Sequence, residues 1–467
     1  MKTNQLTSEE RHKQMTTAPL KRLVIKMALP TVLSQIITVI YNTADGYFVS
    51  HIREAANSAA GAVGVAFSLM SIIQALGFGL GMGANTLISK AFGRKDDEIA
   101  HVYGSSAFFA ALLLGAVITI LGLAFLAPLM RIMGASETVL PYACDYSFII
   151  LLGAPIMCGS FVLNNILRSQ GEASLSMVGL CAGGLLNAAL DPLFIFTFNM
   201  GIKGAAWATI TGQAVSFIIL LSFFIFKRSI VKLSFKKISF RPKIYLEIAK
   251  SGLPTVCRQG LASLSTALLN NVARAVDQTY GYNDAMVAAI TDANKLYLFI
   301  RNVVVGIGQG FQPIGGYNYG AGNNKRVRQA FWFTTRLATY FCTAASVIFF
   351  IFADNLIAIF HNDPLVISLG RPAIYAFSIA LPFMGYATYV NQLLQVLGFS
   401  GSASFLASCR QGVFFIPLII ILPLISSVFA VQWVTAISDL LTFAISIPFQ
   451  IAFFKKRLND EPTAQAA

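Results

Sequence analysis

Two carboxylates stand where hydrocarbon is expected. Asp45 lies in "YNTADGYFVS", residues 41–50, near the end of an apolar run that begins around Leu23; its nearest Lys or Arg neighbours are Lys26 and Arg53. Asp191 lies in "LLNAALDPLFIF", residues 185–196. An Asp near the centre of a membrane helix costs about 2.5–3.5 kcal/mol on insertion scales, and less toward the interface. Acids kept at that cost usually face a bundle interior or a water-filled cavity. Two of them close together favour holding a proton or a small cation between them. Asn187 precedes Asp191 by four residues and shares its helix face. Asn164, Thr209 and Tyr146 add oxygens inside apolar segments, and Asn42 lies three residues before Asp45. The candidate cation-coupling set is therefore Asp45, Asp191, Asn187, Asn164, Thr209 and Tyr146, with Na⁺ at Asp45, Asp191 and Asn187 or a proton in its place. Pro192 deprives the Ala188 carbonyl of its usual partner and predicts a kink. Two plainer readings stay open. Asp45 is interfacial if its span ends near "GYFVS", and Asp191 is structural if it only bonds Asn187 or a hydroxyl.

The elements that must position these residues are membrane helices. The 467 residues are 56% hydrophobic and 12% charged, against about 25% charged in soluble domains. The mean hydropathy is +0.68. Apolar segments recur at about 23–49, 58–82, 102–130, 139–167, 174–198, 204–226, 251–276, 285–313, 330–359, 366–397, 402–426 and 430–453. Each is long enough for a hydrocarbon core of about 30 Å, which needs about 20 helical residues. The expected fold is an all-α membrane protein of twelve transmembrane helices. The first run is too long for the apolar core of a leader peptide and follows about 22 mostly polar residues, so it reads as the first span.

Charge sets the orientation. With the N-terminus inside, the inner loops and tails carry 23 Lys and Arg, and the outer loops carry three, Arg53, Arg131 and Lys203. Both termini are thus expected in the cytoplasm. The same asymmetry accounts for the net charge of +14 without nucleic acid as a partner.

The central loop "KRSIVKLSFKKISFRPK" divides six spans from six. "ALPTVLSQ" (28–35) matches "GLPTVCRQ" (252–259), "GLGMGANTLISKAFGRKD" (79–96) matches "GIGQGFQPIGGYNYGAGN" (306–323), and "LNNILRSQG" (163–171) matches "VNQLLQVLG" (390–398). The expected organisation is a tail (1–22), a first lobe (23–226), an inter-lobe loop (227–250), a second lobe (251–454) and a tail (455–467). Both lobes start on the same side, so their pseudo-two-fold axis runs along the membrane normal. The second half carries Leu269 where the first has Asp45, and Ile416 before Pro417 where the first has Asp191 before Pro192. Its polar residues are others: Asp292, Lys295 and Arg301 in span 8, Asn270 in span 7 and Asn391 in span 10. With Asn42 they form a possible substrate cavity. Asp292 and Lys295 are spaced to pair, which leaves a structural ion pair and an acid for a cationic substrate both open. Arg258, Arg274 and Arg410 either pair with acids or reach the interface.

No P-loop is present, so an ion gradient is the expected energy source. The six cysteines sit in apolar stretches without CxxC spacing and read as buried hydrophobes; the four histidines, His12, His51, His101 and His361, read as loop residues. No nucleophile–base constellation or metal cluster supports an enzyme.

The chain resembles the multidrug and toxic compound extrusion (MATE) transporters over residues 20–455, in particular their DinF-like and MepA-like prokaryotic branches. The resemblance is carried by "LPTVLSQ…YNTADGYFVS", "NNILRSQGEASLSM", "NAALDPLFIF…GIKGAAWAT" and "QPIGGYNYGAGN". It implies a cation-coupled antiporter that exports diverse, often cationic, amphipathic compounds by alternating access. It also implies a bacterial or archaeal cytoplasmic membrane, no cofactor beyond H⁺ or Na⁺ as coupling ion, and a monomer whose partners are lipid and small-molecule substrates. The family's first-lobe site maps onto Asp45, Asn187, Asp191 and Asn164, with Tyr146 and Thr209 mapped by spacing. The alternative is a lipid-linked oligosaccharide flippase of the same architecture, for which Arg258, Lys295 and Arg301 would supply a cationic cavity.

Overall fold

The computed structural model describes residues 7–50, 52 and 56–458. Lys2, His51, Arg53, the side chains of Lys456 and Arg457, and residues 459–467 lie outside the described residues. Among those described there is no strand. The first half contains α1 (Ser8–Thr17), α2 (Leu20–Ser50), α3 (Ala56–Gly93), α4 (Asp97–Ala124), α5 (Leu126–Ile132), α6 (Leu140–Ser169), α7 (Ala173–Pro192) and α8 (Gly201–Ile225). The second contains α9 (Pro242–Tyr280), α10 (Ala285–Gly320), α11 (Asn324–Ile351), α12 (Ala353–Ala358), α13 (Pro364–Leu397), α14 (Ser400–Ser408), α15 (Phe415–Ile421) and α16 (Ser427–Arg457).

Ten of the described segments are long and apolar enough to cross a membrane by composition. The long helices α9 and α10 fall outside that set. They carry Lys250, Arg258, Arg274 and Asp277, and Asp292, Lys295 and Arg301, within otherwise apolar faces. Both still run beside apolar helices of the other half, α9 along α3 and α10 along α2. With them the bundle has its twelve spans. The lobe boundaries expected at 22 and 250 fall inside helices, because α2 begins at Leu20 and α9 at Pro242.

The repeat is visible in side-chain chemistry. Asp96 caps α4 through the Ile99 N–H, and Asn323 caps α11 through the Arg326 N–H. The Thr119 hydroxyl donates to the Leu151 carbonyl, as Ser346 does to Ser378, each at 2.5 Å. The Asn164 amide donates to the Ser176 carbonyl at 3.0 Å, as Asn391 does to Ala403 at 2.5 Å. The two members of each pair are 227 residues apart in the sequence. Helix breaks recur too, at Phe125 and Phe352, and as π-helical turns at Leu193–Thr197 and Cys409–Val413. The first π-helical turn follows Pro192, where the kink is expected.

Glycine spacing explains how the lobes meet. In "GFGLGMG" (77–83) two i,i+4 pairs point to opposite faces of α3. Gly77 and Gly81 meet Phe161, Cys158 and Asn165 of α6; Gly79 and Gly83 meet Val256, Gly252 and Ile248 of α9. A Cβ on Gly83 would lie 2.1 Å from the Ile248 carbonyl oxygen. In α10, Gly306 and Gly310 lie against Val32 and Ala28 of α2, and Gly316 and Gly320 against Ser89 and Lys90 of α3. The Thr31 hydroxyl donates to the Gly306 carbonyl at 2.7 Å, and the Gln35 amide to Gln309 at 3.3 Å, across the same seam. All these contacts lie in the half of the bundle that carries the basic loops. In the opposite half Asn42, Thr43 and Tyr47 of α2 and Asn271 and Arg274 of α9 are exposed. The glycine seam joins the two lobes at the basic end.

The expected N-terminal tail contains a folded helix. In α1, Thr7 and Glu10 form a capping box. Met15 is fully buried, Arg11 pairs with Glu172, and His12 contacts the Gly93 carbonyl at 3.1 Å. Asn318 of the second lobe donates to the Met15 carbonyl at 3.1 Å. The helix thus bridges both lobes at the basic end.

A Gly83→Leu substitution forces α3 and α9 apart. Spin labels at the exposed positions Arg94 and Lys325, one per lobe, are expected to move apart by several ångström relative to the parent protein when measured by electron–electron resonance. An unchanged distance contradicts the seam described.

Candidate functional site

Asp191 is fully buried at the last turn of α7. One turn earlier, the Asn187 amide contacts Asp191 Oδ1 and Thr209 Oγ1, each at 3.4 Å. Thr209 donates its own hydroxyl to the Ala205 carbonyl at 3.0 Å, one turn back on α8. The helices come this close because both carry glycine at the crossing. A Cβ on Gly183 would lie 2.5 Å from the Gly212 carbonyl oxygen, and one on Gly212 would lie 2.6 Å from that of Gly183 and 2.9 Å from Asn187 Cβ. That crossing sets Asn187 over Thr209.

Tyr146, fully buried on α6, completes the group. Its hydroxyl lies near Thr209, interacts electrostatically with both Asp45 and Asp191, and lies 3.9 Å from the Met70 sulfur. Asp45 enters from α2, half-buried, coupled electrostatically to Asp191 and to Tyr41. Gly184 makes room for Tyr41, whose Cδ1 would be 2.6 Å from a Cβ there. Five of the six expected residues therefore converge from α2, α6, α7 and α8: Asp45, Tyr146, Asn187, Asp191 and Thr209.

The carboxylates are under-satisfied. Asp45 Oδ1 and Asp191 Oδ2 are buried with no hydrogen-bond partner, and among the described residues they are the only acids with such an oxygen. An unmet buried polar atom costs about 1–3 kcal/mol, and more when charged. Two carboxylates, an amide oxygen and two hydroxyls form a hard oxygen set, which matches a proton or Na⁺ and not a soft metal. No cluster of three or more His, Cys, Asp or Glu side chains occurs among the described residues.

Asn164 does not join them. It donates to the Ser176 carbonyl and accepts from Arg168. Ser176 and Asp191 are 15 residues apart on α7, roughly 22 Å at 1.5 Å per residue. The matched bond from Asn391 shows both asparagines fastening consecutive helices at the basic end, which removes Asn391 from the expected substrate cavity as well.

Asp292 is buried at 1% exposure, paired with Lys295 at 2.9 Å and with His361 Nδ1 at 2.5 Å. Lys295 lies 5.1 Å from the Phe360 ring. The ion pair expected from spacing is present, and it pins α10 to the connection before α13. His361, read as a solvated loop residue, takes part. Asn42 is exposed on α2 and Asn270 half-buried on α9. Arg301 is separated from Lys295: it lines a cavity of about 70 Å³ with Tyr297, Arg410, Asp439 and Leu269, the counterpart of Asp45.

Two buried acids escaped the sequence reading. Asp439, 3% exposed on α16, accepts from Arg410 and from the Tyr297 hydroxyl. It is a lone acid in the apolar run 430–453, so the criterion that selects Asp45 also selects it. Asp277 accepts the Met286 and Val287 N–H groups at 2.8 and 3.1 Å and caps the start of α10; nothing in its local spacing signals a partner nine residues on. The second half thus lacks acids at the two aligned positions and carries its own elsewhere.

Comparison with known proteins agrees with this architecture. The sequence profile of the MatE family matches residues 30–193 and 279–421. The chain is 23% identical over 416 residues, 89% of its length and 90% of the relative's, to the multidrug export protein MepA of Staphylococcus saprophyticus. It superposes on a MATE crystal structure in complex with MaL6 with a TM-score of 0.88 at 25% identity, covering 95% of this chain and 99% of that one. An outward-facing multidrug resistance MATE transporter of the MOP superfamily shares the fold at TM-score 0.87 and 24% identity, covering 96% and 98%. The chain belongs to the MatE family of multi-pass membrane transporters.

Proposed function

We propose that this transporter is an antiporter in which the Asp45–Asp191 pair binds a coupling cation, H⁺ or Na⁺, and in which diverse amphipathic, often cationic, compounds are exported by alternating access. The observation that carries the reading is the pair of buried, unpartnered carboxylate oxygens. Asn187, Thr209 and Tyr146 supply the remaining oxygens around them. The relatives' name, multidrug export protein, supports the substrate class. The basic loops support cytoplasmic termini, and the bacterial relatives support the membrane of a bacterial or archaeal cell; on this reading the end away from the glycine seam faces outward and the ion enters from outside. The transporter acts as a monomer on substrates taken from the cytoplasm or the bilayer.

The geometry supports a simple cycle. With the basic end joined, the pair is approached from the opposite end. A bound cation offsets one of the two negative charges and meets the orphaned oxygens, which lowers the cost of α2 closing over them. Once the basic end opens, a cationic substrate competes for the same negative site and the coupling ion leaves toward the cytoplasm. The flippase alternative is not favoured. It needs Arg258, Lys295 and Arg301 together, whereas Lys295 is committed to Asp292, and the cavity at Arg301 holds about 70 Å³.

Asp45→Asn and Asp191→Asn are each expected to reduce gradient-driven efflux of ethidium from proteoliposomes at least tenfold with normal protein yield. Retained efflux in both removes the coupling role. Asn164→Ala is expected to lower thermal stability while keeping the ratio of ions to substrate moved. A changed ratio would return Asn164 to the ion site. Imposing pH and Na⁺ gradients separately identifies the ion: only one of them drives ethidium movement.

A further inference from the structure

The cavity inside the second lobe has the opposite polarity. Arg258 of α9, Arg301 of α10 and Arg410, in the π-helical turn between α14 and α15, interact with one another electrostatically. Asp439 is the only acid among the groups that act on them. It is already engaged, by Arg410 Nε at 2.5 Å and by the Tyr297 hydroxyl. Arg258 and Arg301 form no hydrogen bond or ion pair with any described residue. Guanidinium groups stay protonated in proteins, so two cations, Arg301 and Arg410, face the one acid Asp439 at the cavity, and Arg301 keeps an empty donor fork. An uncompensated charge inside membrane helices marks a function and a missing partner.

We propose that this cavity is a subsite for the carboxylate of a transported amphipath. The deduction rests on the reading of the chain as an exporter and assigns the place where the carboxylate of a zwitterionic substrate is held. Guanidinium forks match a carboxylate bidentately. The space of about 70 Å³ exceeds the roughly 10–15 Å³ that one water needs and suits an anionic head group, not a whole drug. Asn294 and Gln411 add neutral polar groups, and Leu269, Leu298 and Phe415 form an apolar wall. Leu298 is 41% exposed, so the cavity has an open rim along which the apolar body of a ligand can lie. Asp439 with Tyr297 holds Arg410 in place, which leaves Arg301 as the group that takes the ligand.

The test compares two dyes that differ only in this group, zwitterionic rhodamine 110 and its methyl ester, by fluorescence polarisation on the purified full-length protein with no gradient. Arg301→Gln is expected to weaken the acid tenfold or more, the scale of a lost charge-assisted hydrogen bond, and to leave the ester within twofold. Arg301→Lys recovers part of the loss. Equal effects on both dyes, or none, overturn the proposal. If a variant does not fold, the parent protein decides: decanoate must displace the acid at concentrations that spare the ester, and failure to do so overturns the assignment. Chloride that displaces the acid as well as decanoate does makes the occupant an inorganic anion and also overturns it. Because binding is read without ion flow, failure of the coupling account leaves this result standing, and the converse holds.

Discussion

A charge inside a membrane helix has to be met by another group, since there is no bulk water to meet it. Following that requirement through the bundle sorts its buried ions. Asp277 is met by backbone N–H groups at the start of α10. Asp292 is met by Lys295 and His361, and Asp439 by Arg410 and Tyr297. These pairings are internal and hold helices together. Asp45 and Asp191 in the first lobe are left with open oxygens, and Arg258 and Arg301 in the second with open donors. On the proposed reading, the open carboxylate oxygens are offered to a cation in one lobe and the open Arg301 donors to an anion in the other.

Glycine supplies the mechanical counterpart. Backbone-to-backbone approach at Gly79, Gly83, Gly306, Gly310, Gly316 and Gly320 joins the lobes along the basic half. Contacts of this kind bury little polar area and rely on close fit, so the seam can part and reform without breaking ion pairs. The helix α1 adds a clasp, reaching Glu172 in one lobe and Asn318 in the other. Inside each lobe, the matched bonds from Thr119 and Ser346, and from Asn164 and Asn391, keep the six helices rigid. The lobes are therefore suited to move as bodies.

Much of this was legible in the sequence, and the reasons differ by residue. Hydropathy and the offset between the halves reveal the bundle because both are long-range regularities. Asp45, Asp191 and Asn187 stand out because a polar residue in an apolar run is conspicuous and helical spacing sets a face. Asn164 was misplaced because it was chosen by residue type and family mapping, although its place three residues before the inner end of the span 139–167 already sets it at the basic end. Asp439 was missed because the second half was read at the positions aligned to Asp45 and Asp191, whereas this acid lies in span 12, whose counterpart in the first lobe, span 6, carries no acid. The α1 clasp left little trace, as a short polar helix docks through one buried methionine and a handful of polar bonds.

The central claim is that the first-lobe carboxylates bind the coupling ion. Direct ion binding tests it: ²²Na⁺ binding, and proton release on adding ethidium in unbuffered detergent solution, both on purified protein. The account predicts one saturable ion per transporter, displaced by ethidium, and none in Asp191→Asn. An ion bound by Asp191→Asn with unchanged affinity and stoichiometry would contradict it.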